Sequence, residues 1–125
     1  MGFKAMILLT RRDDMAPEQF ARWWLDEHAP LAAQLPGVRG IRFNLVDDGD
    51  GPDGIAELWF DSRDAFDAAY ATEVGKRVAA DARNDEALVK SASRQCYSVG
   101  MTGFEPAPPD PHVPGAVVRA GISRR

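Results

Sequence analysis

The stretch FARWWLDEHAPLAAQLPGV, Phe20 to Val38, decides the fold. At about 100° per residue, Phe20, Trp24, Leu31 and Leu35 fall on one stripe. Trp23 sits on one shoulder of it and His28 on the other, while Asp26 points away. This predicts an amphipathic helix from Pro17 to about Gln34 with its apolar stripe turned to a core. Pro17 suits the first helical turn, and Glu18 favours the positive end of the dipole. Ala16 at the N-cap has no side-chain acceptor, so Asp13 or Asp14 is expected to serve. Pro30 lacks the N–H that the Asp26 carbonyl would bond, and its ring pushes the helix to bend. A bend one turn from His28 opens space between helix and sheet. Pro36-Gly37-Val38 then ends the helix.

Outward from this helix the pattern changes period. Phe3–Thr10 is a short apolar run, read as a central strand. Val38–Val46 alternates, with a shift near Gly40 that predicts a bulge or an irregular start. Ile55–Phe60 puts Ile55, Glu57 and Trp59 on one face and Ala56, Leu58 and Phe60 on the other. Between these two strands, Gly49–Gly54 (GDGPDG) reads as a turn, with no phosphate-loop context. Asp61 or Ser62 caps a second helix, which is expected to break or bend at Gly75 and resume to about Ala82. Arg94–Val99 is the last strand. The order β-α-β-β-α-β predicts a ferredoxin-like α+β fold: a four-stranded antiparallel sheet with both helices on one face. Residues 1–103 form this domain. Residues 104–125 are a Pro-rich extension, expected to be disordered or loosely docked.

The chain has 125 residues, enough for one ordinary domain. A net charge of −4 argues against a nucleic-acid partner. One cysteine, Cys96, permits no internal disulfide. With only His28 and His112 beside it, a Cys/His zinc site is not expected. No segment has the length of a membrane span or the form of a signal peptide, so a soluble, cytoplasmic protein is expected. The sheet face away from the helices carries Ile55 and Trp59. Leaving them in water costs roughly 25 cal/mol per Å² of apolar surface. A homodimer with its sheets packed face to face relieves this; the alternative cover for Trp59 is the chain's own tail.

Several residues stand out. His28 is the sole imidazole of the folded core. It is either a buried histidine satisfied by a backbone carbonyl or an acid/base group titrating near neutral pH. Glu57 is either a buried carboxylate acting as an acid or half of an ion pair with Arg42 or Arg39. Asn44 either orients a substrate carbonyl or makes a polar cross-strand contact. Of Trp23, Trp24, Trp59, Phe43 and Tyr70, most are core; two or three would line a pocket suited to a flat aromatic ligand. Asp26 and Glu27 are not spaced to partner His28 along the helix. Cys96 has no adjacent base and reads as inert.

These residues carry a resemblance. Pro17, Glu18, Phe20, Trp24, His28, Pro30, Leu31 and the Leu35-Pro36-Gly37 turn are similar to a pattern, PEEFxxYWxxxHxPLxxxLPG, of the EthD-like family of dimeric α+β barrel proteins. DGIAELWFDSRDAFDAA, Asp53 to Ala69, resembles that family's third strand and second helix. The likeness runs from about Lys4 to Gly100. Two departures are visible: Ala16 replaces a capping Ser or Thr, and Gln95-Cys96-Tyr97 is more polar than the usual last strand. The resemblance implies a homodimer working without metal or organic cofactor. It implies a small-molecule lyase or isomerase acting on an aromatic or polyketide-like substrate. It makes His28 the proton-transfer residue. The reading of the residues adds Trp24, Asn44, Glu57, Trp59 and Tyr70 as expected substrate contacts. The alternatives are a cofactor-independent, quinone-forming monooxygenase and a non-catalytic ligand-binding protein.

Overall fold

The computed structural model describes residues 2–46 and 52–81 with their side chains, and residues 82–83 and 89–99 by backbone. The Pro-rich extension, His112, the side chain of Cys96 and the first half of the turn expected at Gly49–Gly54 lie outside the described residues. Strand β1 (Gly2–Arg11) pairs antiparallel with β3 (Gly54–Phe60) on one side and β4 (Val89–Val99) on the other. β2 (Gly40–Leu45) pairs with the outer edge of β3, giving the order β2-β3-β1-β4. The fold is ferredoxin-like α+β.

The pleat sorts side chains by parity. Phe3, Ala5 and Leu9, Ile41 and Phe43, and Ala56, Leu58 and Phe60 are buried against the helices. Each fully buried Leu or Phe contributes about 1.5–3 kcal/mol. The registers Lys4↔Trp59, Met6↔Glu57 and Arg42↔Glu57 put the other parity on the opposite face. The β2–β3 register runs unbroken from Gly40↔Trp59 to Leu45↔Gly54. The shift near Gly40 is therefore no bulge. Val38 and Arg39 precede the strand, and Gly37, at φ 81°, makes the turn into it.

The helical layer holds α1 (Pro17–Trp23), a π-helical turn (Trp24–His28) and α2 (Ala29–Ala32). The single helix expected to Gln34 is thus interrupted. The π turn takes up the strain of Pro30 by widening, and the Ala29 N–H donates to the Trp24 carbonyl five residues back. Neither Asp13 nor Asp14 caps α1. Gln19 Oε1 accepts from the Ala16 N–H at 3.1 Å, while Asp14 pairs with Arg12. Ser62 caps α3 (Arg63–Ala71) by accepting from the Ala65 N–H at 3.1 Å. The break before α4 (Glu73–Arg83) falls at Thr72, not Gly75. Thr72 Oγ1 accepts from the Gly75 N–H at 3.0 Å. Position 75, inside α4, requires a glycine because a Cβ there would lie 2.2 Å from the Ala69 carbonyl oxygen.

Candidate active site

The π turn and α4 assemble the polar centre of the helical layer. His28, the last residue of the turn, is 6% exposed. Its Nδ1 lies 2.7 Å from Oδ2 of Asp81 on α4, which is half-buried. A carboxylate only accepts, so Nδ1 carries the proton and the neutral ring keeps its lone pair on Nε2. Among the described residues Nε2 has no hydrogen-bond partner. Burial holds the His28 pKa below its ordinary 6.5; the bond and charge of Asp81 push upward, and burial prevails. The resting ring is therefore a neutral, oriented base.

Aromatic rings wall this imidazole. Trp23 lies 5.2 Å from it and Phe43 meets it edge-on at 6.3 Å. Trp24, the first residue of the turn, is fully buried between Phe20 at 5.5 Å and Phe43 at 4.8 Å. Its benzo edge lies over Gly54, where a Cβ would come within 2.6 Å of Cη2 and Cζ3. The glycine opening β3 therefore makes room for the indole. Trp24 Nε1 is buried and, among the described residues, has no hydrogen-bond partner. Tyr70 is half-buried on α3, its ring 4.8 Å from Phe66 in a cluster with Phe3 and Phe60.

The remaining expected site residues lie across the sheet. Asn44 and Phe43 are adjacent, so the pleat sends them to opposite faces. Asn44 Nδ2 donates to the Ile55 carbonyl and to Glu57 Oε2, both at 3.0 Å. Glu57 also meets Lys4 at 3.5 Å and Arg42 at 3.9 Å. Lys4 Nζ and Arg42 Cζ flank the Trp59 ring at 5.3 and 5.6 Å from its centroid. The structure thus brings Trp24 and His28 together and separates both from Asn44, Glu57 and Trp59. Glu57 matches the ion-pair reading, with Arg42 rather than Arg39 as partner; Arg39 binds Asp61 instead.

Asp81 is the residue that sequence reasoning missed. It stands 53 positions from His28, and no local spacing links them. A signal was present in α4, because Val74, Val78 and Asp81 share one face at i, i+4 and i+7. A carboxylate on the core stripe of a helix needs a partner. Among the described residues no group of three or more His, Cys, Asp or Glu could hold a metal ion, and no helix is long and apolar enough to cross a membrane.

Comparison with known proteins places the architecture first. The chain superposes on a Bacillus halodurans protein of the ethyl tert-butyl ether D (EthD) family with TM-score 0.69 and 20% identity, covering 80% of this chain and all of that one. It superposes on SnoaB, a cofactor-independent oxygenase from Streptomyces nogalater, with TM-score 0.62 and 19% identity, covering 83% and 98% of the two chains. A dimeric Bacteroides fragilis protein of ferredoxin-like fold and unknown function matches with TM-score 0.62 and 17% identity, covering 78% and 96%. At such identities these likenesses define the fold class alone. The family follows from sequence: the EthD domain matches residues 12–84, more than half of the chain. The protein belongs to the EthD domain family. An uncharacterized 11.0 kDa protein from the thcB-thcC intergenic region of Rhodococcus erythropolis is 32% identical over 72 residues, 54% of this chain and 70% of that one.

Proposed function

We propose that this protein is a cofactor-free proton-transfer enzyme, a lyase or isomerase acting on a small aromatic or polyketide-like carbonyl compound. One observation carries the reading: His28 Nδ1 is bound to Asp81 at 2.7 Å while Nε2 is unpartnered among the described residues. An imidazole fixed in one tautomer by a carboxylate is the arrangement general-base chemistry requires. Nε2 takes a proton from the carbon beside the substrate carbonyl, and the freed electron pair moves into an enolate. The imidazolium, steadied by Asp81, then returns the proton at another position or to a departing group. On this reading the enzyme works in the cytoplasm on a diffusible substrate.

Exchange in D2O tests this with 2-tetralone as the probe. The wild-type chain should speed loss of its α-protons above background, and His28→Gln should abolish that gain. Equal rates for wild type, variant and buffer would remove the catalytic role and leave a ligand-binding protein.

A second reading keeps the same base. SnoaB, similar in fold, is a cofactor-independent oxygenase. Here Nε2 would take the proton of a phenol, and O2 would oxidise the phenolate to a quinone, one oxygen atom becoming the new carbonyl and the other leaving as water. Oxygen uptake with an anthrone- or naphthol-like substrate separates the two. Under either reading the protein works as a homodimer. The half-buried Met6, Leu8 and Ile55 on the face away from the helices support this, although Trp59 is already buried within one chain, and so does the dimeric neighbour from Bacteroides fragilis. Light scattering at the mass of two chains is the expected result.

A further inference from the structure

The proton-transfer reading leaves a polar atom beside His28 unexplained. Trp24 is 0% exposed, and among the described residues its Nε1 has no hydrogen-bond partner. Buried donors are satisfied in nearly all folded proteins, and the exceptions call for a cause. Packing fixes where this one points. The Cε3–Cζ3–Cη2 edge of the indole faces Gly54, so Nε1 lies on the other side of the ring system. Trp24 and His28 open and close the same π turn, and both rings stand at 86° to the ring of Phe43. Among the described residues, an unsatisfied donor and an unsatisfied acceptor thus belong to two rings of one turn that both meet Phe43 at right angles.

We propose that the Trp24 indole N–H is the oxygen-binding donor of this site. Its ligands are flat conjugated or aromatic ketones and their enolates. The inference rests on the proton-transfer reading of His28 and adds the group that receives the charge. When Nε2 takes the α-proton, the C–H electron pair becomes a C=C bond and the carbonyl π pair moves to oxygen. That oxygen accepts from Trp24 Nε1–H. The donor gains most when the oxygen is charged, which lowers the barrier rather than merely tightening substrate binding.

The test uses 2-naphthol, the aromatic counterpart of the 2-tetralone enol, and the three indole N–H cross-peaks in a 1H–15N spectrum. The Trp24 cross-peak is assigned by its loss in Trp24→Phe, or by Trp23→Phe and Trp59→Phe should that variant fail to fold. On saturation with 2-naphthol it should move downfield, with smaller movements for the other two. Trp24→Phe should weaken 2-naphthol about tenfold, the size of one hydrogen bond to a partly charged acceptor. Binding with the Trp24 cross-peak unmoved overturns the proposal, for the donor is then held by an enclosed water or by nothing. Absence of any shift in the wild-type spectrum overturns it equally. His28→Gln should keep the naphthol shift while losing exchange. A retained Trp24 shift in a wild-type chain that catalyses no exchange would sink the proton-transfer reading alone.

Discussion

The two faces of the sheet handle polar groups in opposite ways. On the open face, Glu57 is surrounded by Lys4, Arg42 and Asn44, and Asn44 has a second acceptor in the Ile55 carbonyl. Those four side chains meet one another across the sheet. On the helix side, among the described residues, His28 has one partner and keeps Nε2 idle, and Trp24 has none for its N–H. An idle acceptor and an idle donor leave room for a ligand that a paired cluster does not. On the proposed reading the open face is structural and the helix side chemical, and the substitutions that follow bear on that division.

The largest expected effect is at the base. His28→Gln should cut tetralone exchange by about 10²–10⁴-fold, the usual worth of a positioned acid or base. Melting temperature and the mass of the assembly should show the fold intact. Asp81→Asn should cost less, about 10–100-fold, as do losses of groups that orient a functional histidine. This variant also sharpens the assignment through pH. Exchange needs the neutral ring, so it rises with pH through the His28 pKa. Asp81 raises that pKa against the stronger effect of burial. Removing its charge should therefore move the acid limb of the profile to lower pH. A merely structural Asp81 would leave the limb in place.

Across the sheet the expectation reverses. Glu57→Gln strips the charge that Lys4 and Arg42 share, and should lower stability by about 1–3 kcal/mol in a urea titration. Exchange per folded chain should not change. A drop like that of His28→Gln would show that the two faces act as one site. The smallest effect belongs to the exposed pair Arg39–Asp61, 2.9 Å apart with both side chains mostly in water. Arg39→Ala should leave exchange and folding unaltered, since screened surface pairs contribute little.

Much of this division is legible in the sequence, because it depends on period. The alternation of Ile55–Phe60 separates Glu57 and Trp59 from Leu58 and Phe60, and the structure keeps that separation. Of the stripe Phe20, Trp24, Leu31 and Leu35, all but Leu31 are buried, and Leu31 is half-buried against the core. Pro30 announces a disturbance beside His28, though not its form, since bending and π-widening both relieve a missing N–H. The pairing of elements was harder to read. Placing Asn44 and Glu57 with His28 overlooks that Phe43, one residue from Asn44, faces the helices. Asp81 reaches His28 only through the docking of α4, and a single chain carries no local record of which helix meets which. Gly75 shows the same limit. As a residue type it marks a break, but here it serves the close approach of α4 to the end of α3.

The widened turn at Trp24–His28 has a consequence for how such chains vary in length. Elsewhere in a helix, losing one residue rotates everything beyond it by about 100° and turns the core stripe toward water. This turn already holds one residue more than α geometry needs, and its two outward members, Asp26 and Glu27, are exposed. Removal of either would let the backbone close to an ordinary helix with Phe20 and Leu35 still seated on the same side. Insertions and deletions within a lineage of such proteins would gather at this spot, one turn wide, against the imidazole.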